Sequence, residues 1–218
     1  MVLSRVVAPS AEPTAKSKST VLIIDDDQAL RESLGRLLRS VDLNVQLFAS
    51  VPEFLSVGRP NCTSCMVLDV RLPGKSGLDF QNELVAAGIQ LPIIFITGHG
   101  DIPMTVQAMK RGAIEFLTKP FRDQDMLDAI AVGLARDRGW RDTEKGVVEL
   151  KERFQALTPR EREIMIHVVR GRLSKQIAAD IGISEVTVKV HRSNMMRKMK
   201  AGSLPELGRI ADKLALLA

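Results

Sequence analysis

Asp69 closes an apolar run, Cys65-Met66-Val67-Leu68, and a loop containing Pro73, Gly74 and Gly77 follows it. A short continuous apolar run suits a parallel strand buried on both faces, which puts the carboxylate at the strand's carboxyl end. Open α/β sheets bind ligands at that edge. Taken alone, the stretch points instead to Asp69 as a turn residue ahead of Pro73-Gly74. A second apolar run, residues 21–24, changes the weighting because it ends in Asp25, Asp26 and Asp27. Carboxylates crowded at a strand end raise one another's pKa unless a cation or a basic side chain offsets them. Mg²⁺ meets that need: it takes oxygen ligands, keeps several waters, and is held by one or two carboxylates together with a phosphate oxygen. Two further runs end in Thr97 and in Thr118-Lys119-Pro120. If the sheet order brings these strand ends together, they form a phosphoryl-transfer pocket, with a nucleophilic carboxylate, a metal site, a hydroxyl and an ammonium.

The elements needed to do this are visible in the periodicity. Strand-like runs at 21–24, 44–48, 65–68, 92–96 and 114–117 alternate with helix-like stretches near 28–40, 50–57, 77–87, 103–111 and 123–136. Such alternation predicts βαβ units, a parallel sheet and right-handed crossovers. The third helix should begin after Ser76-Gly77, and the fourth at Pro103, where the missing N–H costs nothing. Past residue 136 the apolar spacing thins through Asp137-Arg138-Gly139-Trp140-Arg141-Asp142 and Gly146, which predicts a partly helical linker over residues 138–156. Each glycine within a helix costs about 1 kcal/mol relative to alanine. Residues 1–19, rich in Ala, Pro, Ser and Lys without periodicity, are expected to form a flexible tail.

A different pattern follows. Thr158, Pro159 and Glu161 make a strong helix start, with the helix running to Gly171. A second short helix is expected from Ser174 to Gly182, and Ser184 should cap a third that reads EVTVKVHRSNMMRKM. Two helices joined by Ile181-Gly182-Ile183-Ser184 form a helix-turn-helix pattern. On the third helix Val188, Met195 and Met199 share one stripe, while Val186, Lys189, Val190, Ser193 and Arg197 fall opposite. The second group could enter a DNA major groove, with Lys189 and Arg197 reaching guanine or phosphate and Val186 or Val190 touching a thymine methyl. Ser174 and Lys175, at the second helix's amino end, suit backbone phosphates. Periodicity alone is equally compatible with a solvated amphipathic helix.

Composition narrows the classes. With 218 residues, 45% hydrophobic and 26% charged, the chain has the length for two modest domains and an ordinary globular make-up. The net charge of +5 is uneven: residues 1–146 carry 17 Lys+Arg against 18 Asp+Glu, and residues 147–218 carry 14 against 8. A basic C-terminal third points to a polyanionic partner, nucleic acid first. No apolar run approaches the roughly 20 residues that span a bilayer, and no signal-peptide core is visible, so a cytoplasmic protein with no membrane partner is expected. Cys62 and Cys65 form a lone C-x-x-C pair, and His99, His167 and His191 are scattered. That favours two reduced thiols over a zinc site.

Residues 20–137 resemble the receiver domain of two-component response regulators. The resemblance rests on Asp25-Asp26, on Asp69 with Leu72-Pro73-Gly74 and Ser76-Gly77, and on Thr97 and Lys119-Pro120, in that order and at similar intervals. It implies a flavodoxin-like five-stranded parallel sheet of order 2-1-3-4-5, with Asp69 accepting phosphate from a histidine kinase. It further implies Mg²⁺ bound by Asp26, Asp69 and the Arg71 main-chain carbonyl, with Asp25 helping through water. Lys119 would pair with the phosphoryl group, ahead of a peptide bond that is usually cis. Thr97 would be drawn inward and Phe116 would fill the space it leaves, although Phe116 also suits a plain core role. Residues 157–218 resemble the all-α, four-helix helix-turn-helix domain of the LuxR and FixJ class, on Leu157-Thr158-Pro159-Arg160-Glu161, Lys175-Gln176-Ile177-Ala178 and Thr187-Val188-Lys189-Val190-His191. Together they look like a FixJ/NarL-type transcriptional regulator, and not an enzyme. The implied partners are a cognate histidine kinase, promoter DNA contacted also by Thr187, RNA polymerase, and a second copy of the chain paired on phosphorylation through residues 104–111 and 114–116. Two other readings compete. A phosphohydrolase with a D-x-D-x-T nucleophile motif would use Asp25 and Asp27, but Ala29 replaces the threonine and the basic module goes unexplained. A docking adaptor would bind protein through its C-terminal part and show no salt-dependent DNA affinity.

Overall fold

The computed structural model describes residues 19–98, 100 and 102–214; residues 1–18 of the expected tail, and His99, lie outside them. The described chain divides into a first unit ending at Arg141 and a second beginning at Asp142. Five strands, β1 (Thr20–Ile24), β2 (Asn44–Phe48), β3 (Ser64–Asp69), β4 (Ile93–Thr97) and β5 (Glu115–Thr118), alternate with helices α1 (Gln28–Ser40), α2 (Val51–Val57), α3 (Gly77–Ala86), α4 (Ile102–Lys110) and α5 (Asp123–Gln155). The strands form one sheet in the order β2-β1-β3-β4-β5, every neighbouring pair parallel. This is the flavodoxin-like order, and the strand limits fall within one residue of those expected from the apolar runs.

Alternation along the strands explains why helices cover both faces. Leu22, Ile24, Met66, Leu68 and Phe95 belong to one apolar cluster, with Phe54, Phe80, Leu84 and Ala108 of α2, α3 and α4. Val21, Ile23, Cys65, Val67, Ile94 and Ile96 belong to the other, with Leu34, Leu38, Met126, Ile130 and Leu134 of α1 and α5. Each fully buried Leu, Ile or Phe contributes about 1.5–3 kcal/mol, so β1, β3 and β4 are held from both sides. Polar caps set the helix starts: Asp27 for α1, Ser50 for α2 and Ser76 for α3.

α5 is continuous over 33 residues, through Gly139 and Gly146, and contains the boundary between the two units. The expected linker is therefore helical as far as residue 155. The helix stops where Arg162 donates to the carbonyls of Gln155 and Leu157 and lies over the Phe154 ring. The second unit continues with α6 (Pro159–Val169), α7 (Ser174–Ile181), α8 (Glu185–Met199) and α9 (Leu204–Lys213). α6 ends two residues before Gly171, which takes the left-handed conformation at φ 78°. Its core gathers Ile164, Met165, Ile177, Val188, Met195, Met199 and Leu207, with Leu150 and Phe154 packed against it. Among the described residues no helix is long and apolar enough to cross a membrane.

Candidate functional site

Because all five strands run parallel, the last residues of β1, β3, β4 and β5 lie along one edge of the sheet. There Lys119 Nζ donates to Asp25 Oδ2 at 2.6 Å and to Asp69 Oδ2 at 2.7 Å. Asp25, Asp26 and Asp69 each place a carboxylate oxygen within 4.8 Å of the others. Asp25 and Asp69 are buried, and Asp26 faces solvent. Main-chain amides complete the two buried carboxylates: Asp27 N donates to Asp25 Oδ1 at 2.8 Å, and Arg71 N to Asp69 Oδ1 at 2.9 Å. Arg71 thus sits with its main chain against the acceptor carboxylate. Arg31, one turn into α1, holds the Asp25 carbonyl at 2.5 Å.

The electrostatics follow from burial. Desolvation pushes the Asp25 pKa up, and although the Lys119 and Asp27 hydrogen bonds act in the opposite direction, the shift stays upward. Burial also works against the Lys119 ammonium, but its hydrogen bonds to Asp25 and Asp69 outweigh that and hold its pKa above the ordinary lysine value. One ammonium against three clustered carboxylates leaves a deficit of positive charge. The donor set is all oxygen, which fits a hard divalent ion such as Mg²⁺ and not a thiolate- or imidazole-seeking metal.

Neighbouring main chain fixes the rest of the pocket. Thr97 is buried at the end of β4 in register with Thr118, and its carbonyl accepts from Lys119 N at 2.7 Å. The peptide bond from Lys119 to Pro120 is cis. Phe116 is half-buried against the apolar cluster, its ring 6.1 Å from that of Phe95. Gly77 N donates to Val70 O at 3.0 Å, and a Cβ at Gly77 would lie 2.3 Å from the carbonyl oxygen of Asp69. No side chain fits between the start of α3 and the end of β3. Beside Lys119 a groove of about 530 Å³ runs between Leu30, Leu34 and Leu37 of α1 and Pro120 and Phe121. Asp27, the second carboxylate of the competing D-x-D reading, is committed to capping α1, accepting from Ala29 N at 2.9 Å and Leu30 N at 3.1 Å.

The partners of Asp137 and Gln81, and the Lys198 partner of Glu161, were not read from the sequence, whereas the Thr158–Glu161 cap was. Asp137, on α5 and fully buried, accepts from Arg141 Nε and from Ser64 N, each at 2.9 Å, and pairs with Arg59. Arg59 continues to Gln90 O at 2.6 Å, and Arg141 to Pro60 O at 3.1 Å. This hub sits at the opposite end of β3 from Asp69. It ties residues of the first unit up to Arg141, beyond the last expected helix residue. Glu161, buried at the start of α6, accepts from Thr158 N at 2.8 Å and from Lys198 Nζ on α8 at 2.7 Å. Burial alone would raise its pKa, but these partners bring it below the ordinary glutamate value. Gln81 of α3 is buried with a bond to α4. A lone Asp in a polar stretch, or a Gln in an amphipathic helix, carries no local sign of such distant partners.

In the second unit α7 and α8 form the expected helix-turn-helix. Gly182 takes the left-handed conformation between them, and Ser184 Oγ accepts from Thr187 N at 3.1 Å. Val188, Met195 and Met199 are buried, while Thr187, Lys189, Ser193 and Arg197 face solvent with Val186 and Val190, which are 71% and 56% exposed. Lys175 is exposed at the start of α7, and Ser174 Oγ accepts from Arg192 at 3.5 Å. Lys189 pairs with Glu185 one turn earlier at 2.8 Å, and Arg197 donates to Asn194 at 3.1 Å.

Comparison with known proteins assigns a family to each part of the chain. Residues 21–131 match the family model "Response regulator receiver domain", and residues 155–211 match "Bacterial regulatory proteins, luxR family". The chain is 51% identical over 204 residues to Nodulation protein W of Bradyrhizobium diazoefficiens, covering 94% of this chain and 90% of that protein. It is 47% identical over 196 residues to the response regulator protein TodT of Pseudomonas putida, covering 90% and 86%. Among solved structures it is similar to the response regulator StyR, with a TM-score of 0.80, 47% identity, and coverage of 90% of this chain and 100% of that one.

Proposed function

The chain belongs to the response regulators that join a receiver domain to a LuxR-type DNA-binding domain, and from that premise we propose that Asp69 is the residue through which phosphorylation controls its binding to DNA. It is a two-component transcriptional regulator. The receiver comprises residues 20–137, and the DNA-binding domain residues 157–218. The observation that carries the reading is Lys119 bridging Asp25 and Asp69 beside a third carboxylate.

In the proposed step an Asp69 carboxylate oxygen bonds to phosphorus while the P–N bond of the donor kinase's phosphohistidine breaks, its electron pair remaining on the imidazole nitrogen. Mg²⁺, held by Asp26, Asp69 and the Arg71 main-chain carbonyl with Asp25 acting through water, would neutralise charge on the phosphoryl oxygens. Asp25 lowers the local potential for that ion. Lys119 leaves the carboxylates to pair with the new phosphoryl group, and Thr97 turns to it, with Phe116 following. The groove beside Lys119, where Leu30, Leu34 and Leu37 alternate with Asp27, Ser33 and Asp123, would offer the kinase a surface next to Asp69.

The output needs two copies. Ile102, Val106 and Met109 of α4, at helical spacing, are 81%, 44% and 41% exposed, an apolar stripe suited to a second receiver. Pairing would place two recognition helices on half-sites spaced by turns of DNA. Val186, Thr187, Lys189, Val190, Ser193 and Arg197 would then read bases and phosphates, with Ser174 and Lys175 on the backbone and RNA polymerase recruited at the promoter. On this reading the protein acts in the cytoplasm, as a regulator and not as a hydrolase. Acetyl phosphate with Mg²⁺ should add one phosphoryl group at Asp69 and tighten promoter binding, and Asp69→Asn should abolish both. Phosphate found on Asp25 would favour the hydrolase reading and overturn this one.

A further inference from the structure

α4 is the least anchored helix of the first unit. Of its nine residues only Ala108 is buried, against five in α3 and six in α5. It connects the edge of the sheet at Thr97 to β5, and Met104 and Phe116 pack on the same cluster. Facing Ala108 from α3 is Gln81, 2% exposed. Gln81 Nε2 donates to Ala108 O at 3.3 Å, a carbonyl already shared by Arg111 N and Ala113 N at 3.2 Å each. Gln81 Oε1 is buried and, among the described residues, meets no hydrogen-bond donor. Turning the amide over would set its oxygen against the Ala108 carbonyl and orphan the NH₂ as well. The rest of that cluster is apolar: Leu78, Leu84, Ala108 and Ala113.

A long bond to a shared carbonyl contributes less than a buried acceptor without a donor costs. An apolar side chain of the same length would therefore seat α4 more firmly than Gln81 does. We propose that Gln81 is a positioning residue that keeps α4 shallowly seated on α3, so that repacking at Thr97 and Phe116 can move the helix and its exposed Ile102, Val106 and Met109. The functional half of this rests on Asp69 being the phosphate acceptor. Few buried contacts and a strained polar group are the local properties expected of a segment that moves in a switch.

The test compares the full chain with its Gln81→Met variant, and with Gln81→Leu as a second apolar replacement. Hydrogen exchange without any phosphoryl donor should show α4 amides protected about tenfold more in the variants, with α1 unchanged. With Mg²⁺ and beryllofluoride, a phosphoryl mimic, the protein concentration for half-dimerisation should rise about fivefold or more relative to the parent. Unchanged or lower α4 protection would overturn the proposal, the latter by making the bond to Ala108 a net latch. Raised protection with unaltered dimerisation would overturn the link to switching. Failure of the parent chain itself to respond to beryllofluoride would count against Asp69, while the exchange comparison would still decide the role of Gln81 at α4.

Discussion

Replacing Asp137 by alanine should cost the first unit about 3–4 kcal/mol, a large share of the roughly 5–15 kcal/mol that holds a domain folded. Ser64 N, at the fully buried start of β3, would lose its acceptor, and an orphaned buried amide costs about 1–3 kcal/mol. Two guanidinium groups would lose their carboxylate, but Arg59 and Arg141 are 16% and 19% exposed and can turn toward water. Their share is therefore nearer 1–2 kcal/mol than the ~5 kcal/mol upper end for a broken buried pair. Trp140, the only tryptophan, lies three residues away and carries Arg136 over its ring, so its fluorescence reports this unit during urea unfolding. The midpoint should fall with the slope unchanged. Asp137→Ala combined with Arg141→Ala should cost less than the sum of the two single changes, because both remove the Asp137–Arg141 pair, while Arg141→Ala also releases Pro60 O. A loss below about 1 kcal/mol, or full additivity of the two changes, would refute the hub as a source of stability.

Two other outcomes follow from the sites. Because burial raises the Asp25 pKa, the ionised carboxylate costs stability above that raised value, and the cost vanishes once the pH falls below the ordinary carboxylate range. Protons therefore compete with the cation: calorimetric Mg²⁺ affinity should weaken as the pH falls through the Asp25 pKa, and Asp25→Asn should flatten that dependence; a wild-type affinity independent of pH would contradict the buried-charge account. On α8, Lys189→Ala should weaken promoter binding about tenfold, whereas Glu185→Gln, which frees Lys189 from its exposed pair, should tighten it. Equal affinities by fluorescence anisotropy would remove this helix face from the groove.

The sheet and its edge were legible because they depend on local signals. Unbroken apolar runs ending in Asp25, Asp69, Thr97 and Lys119 marked strand ends, and a parallel sheet necessarily places such ends together. Ser76, Thr158 and Ser184 marked helix starts the same way, while the capping role of Asp27 did not stand out from its acidic neighbours. Other features depend on distance. Gly139 and Gly146 weakened the case for a continuous α5, since propensity disfavours them by about 1 kcal/mol each. The structure offsets this with the Arg141 bonds to Asp137 and Pro60 on one side and with Leu150 and Phe154 in a core on the other. Asp137 meets Arg59 across 78 residues and Ser64 across 73. No spacing rule reaches that far, and the same holds for Gln81 and Ala108.

The fit of Gly77 under the acceptor strand has a consequence for how this switch could be retuned. Since a single methyl group there would collide with the backbone of Asp69, position 77 offers neither selection nor a designer any alphabet beyond one letter. Under the proposed function, changes in how long the signal lasts would have to be written at solvent-facing positions around the mouth such as Arg71, leaving the seat of Asp69 itself untouched.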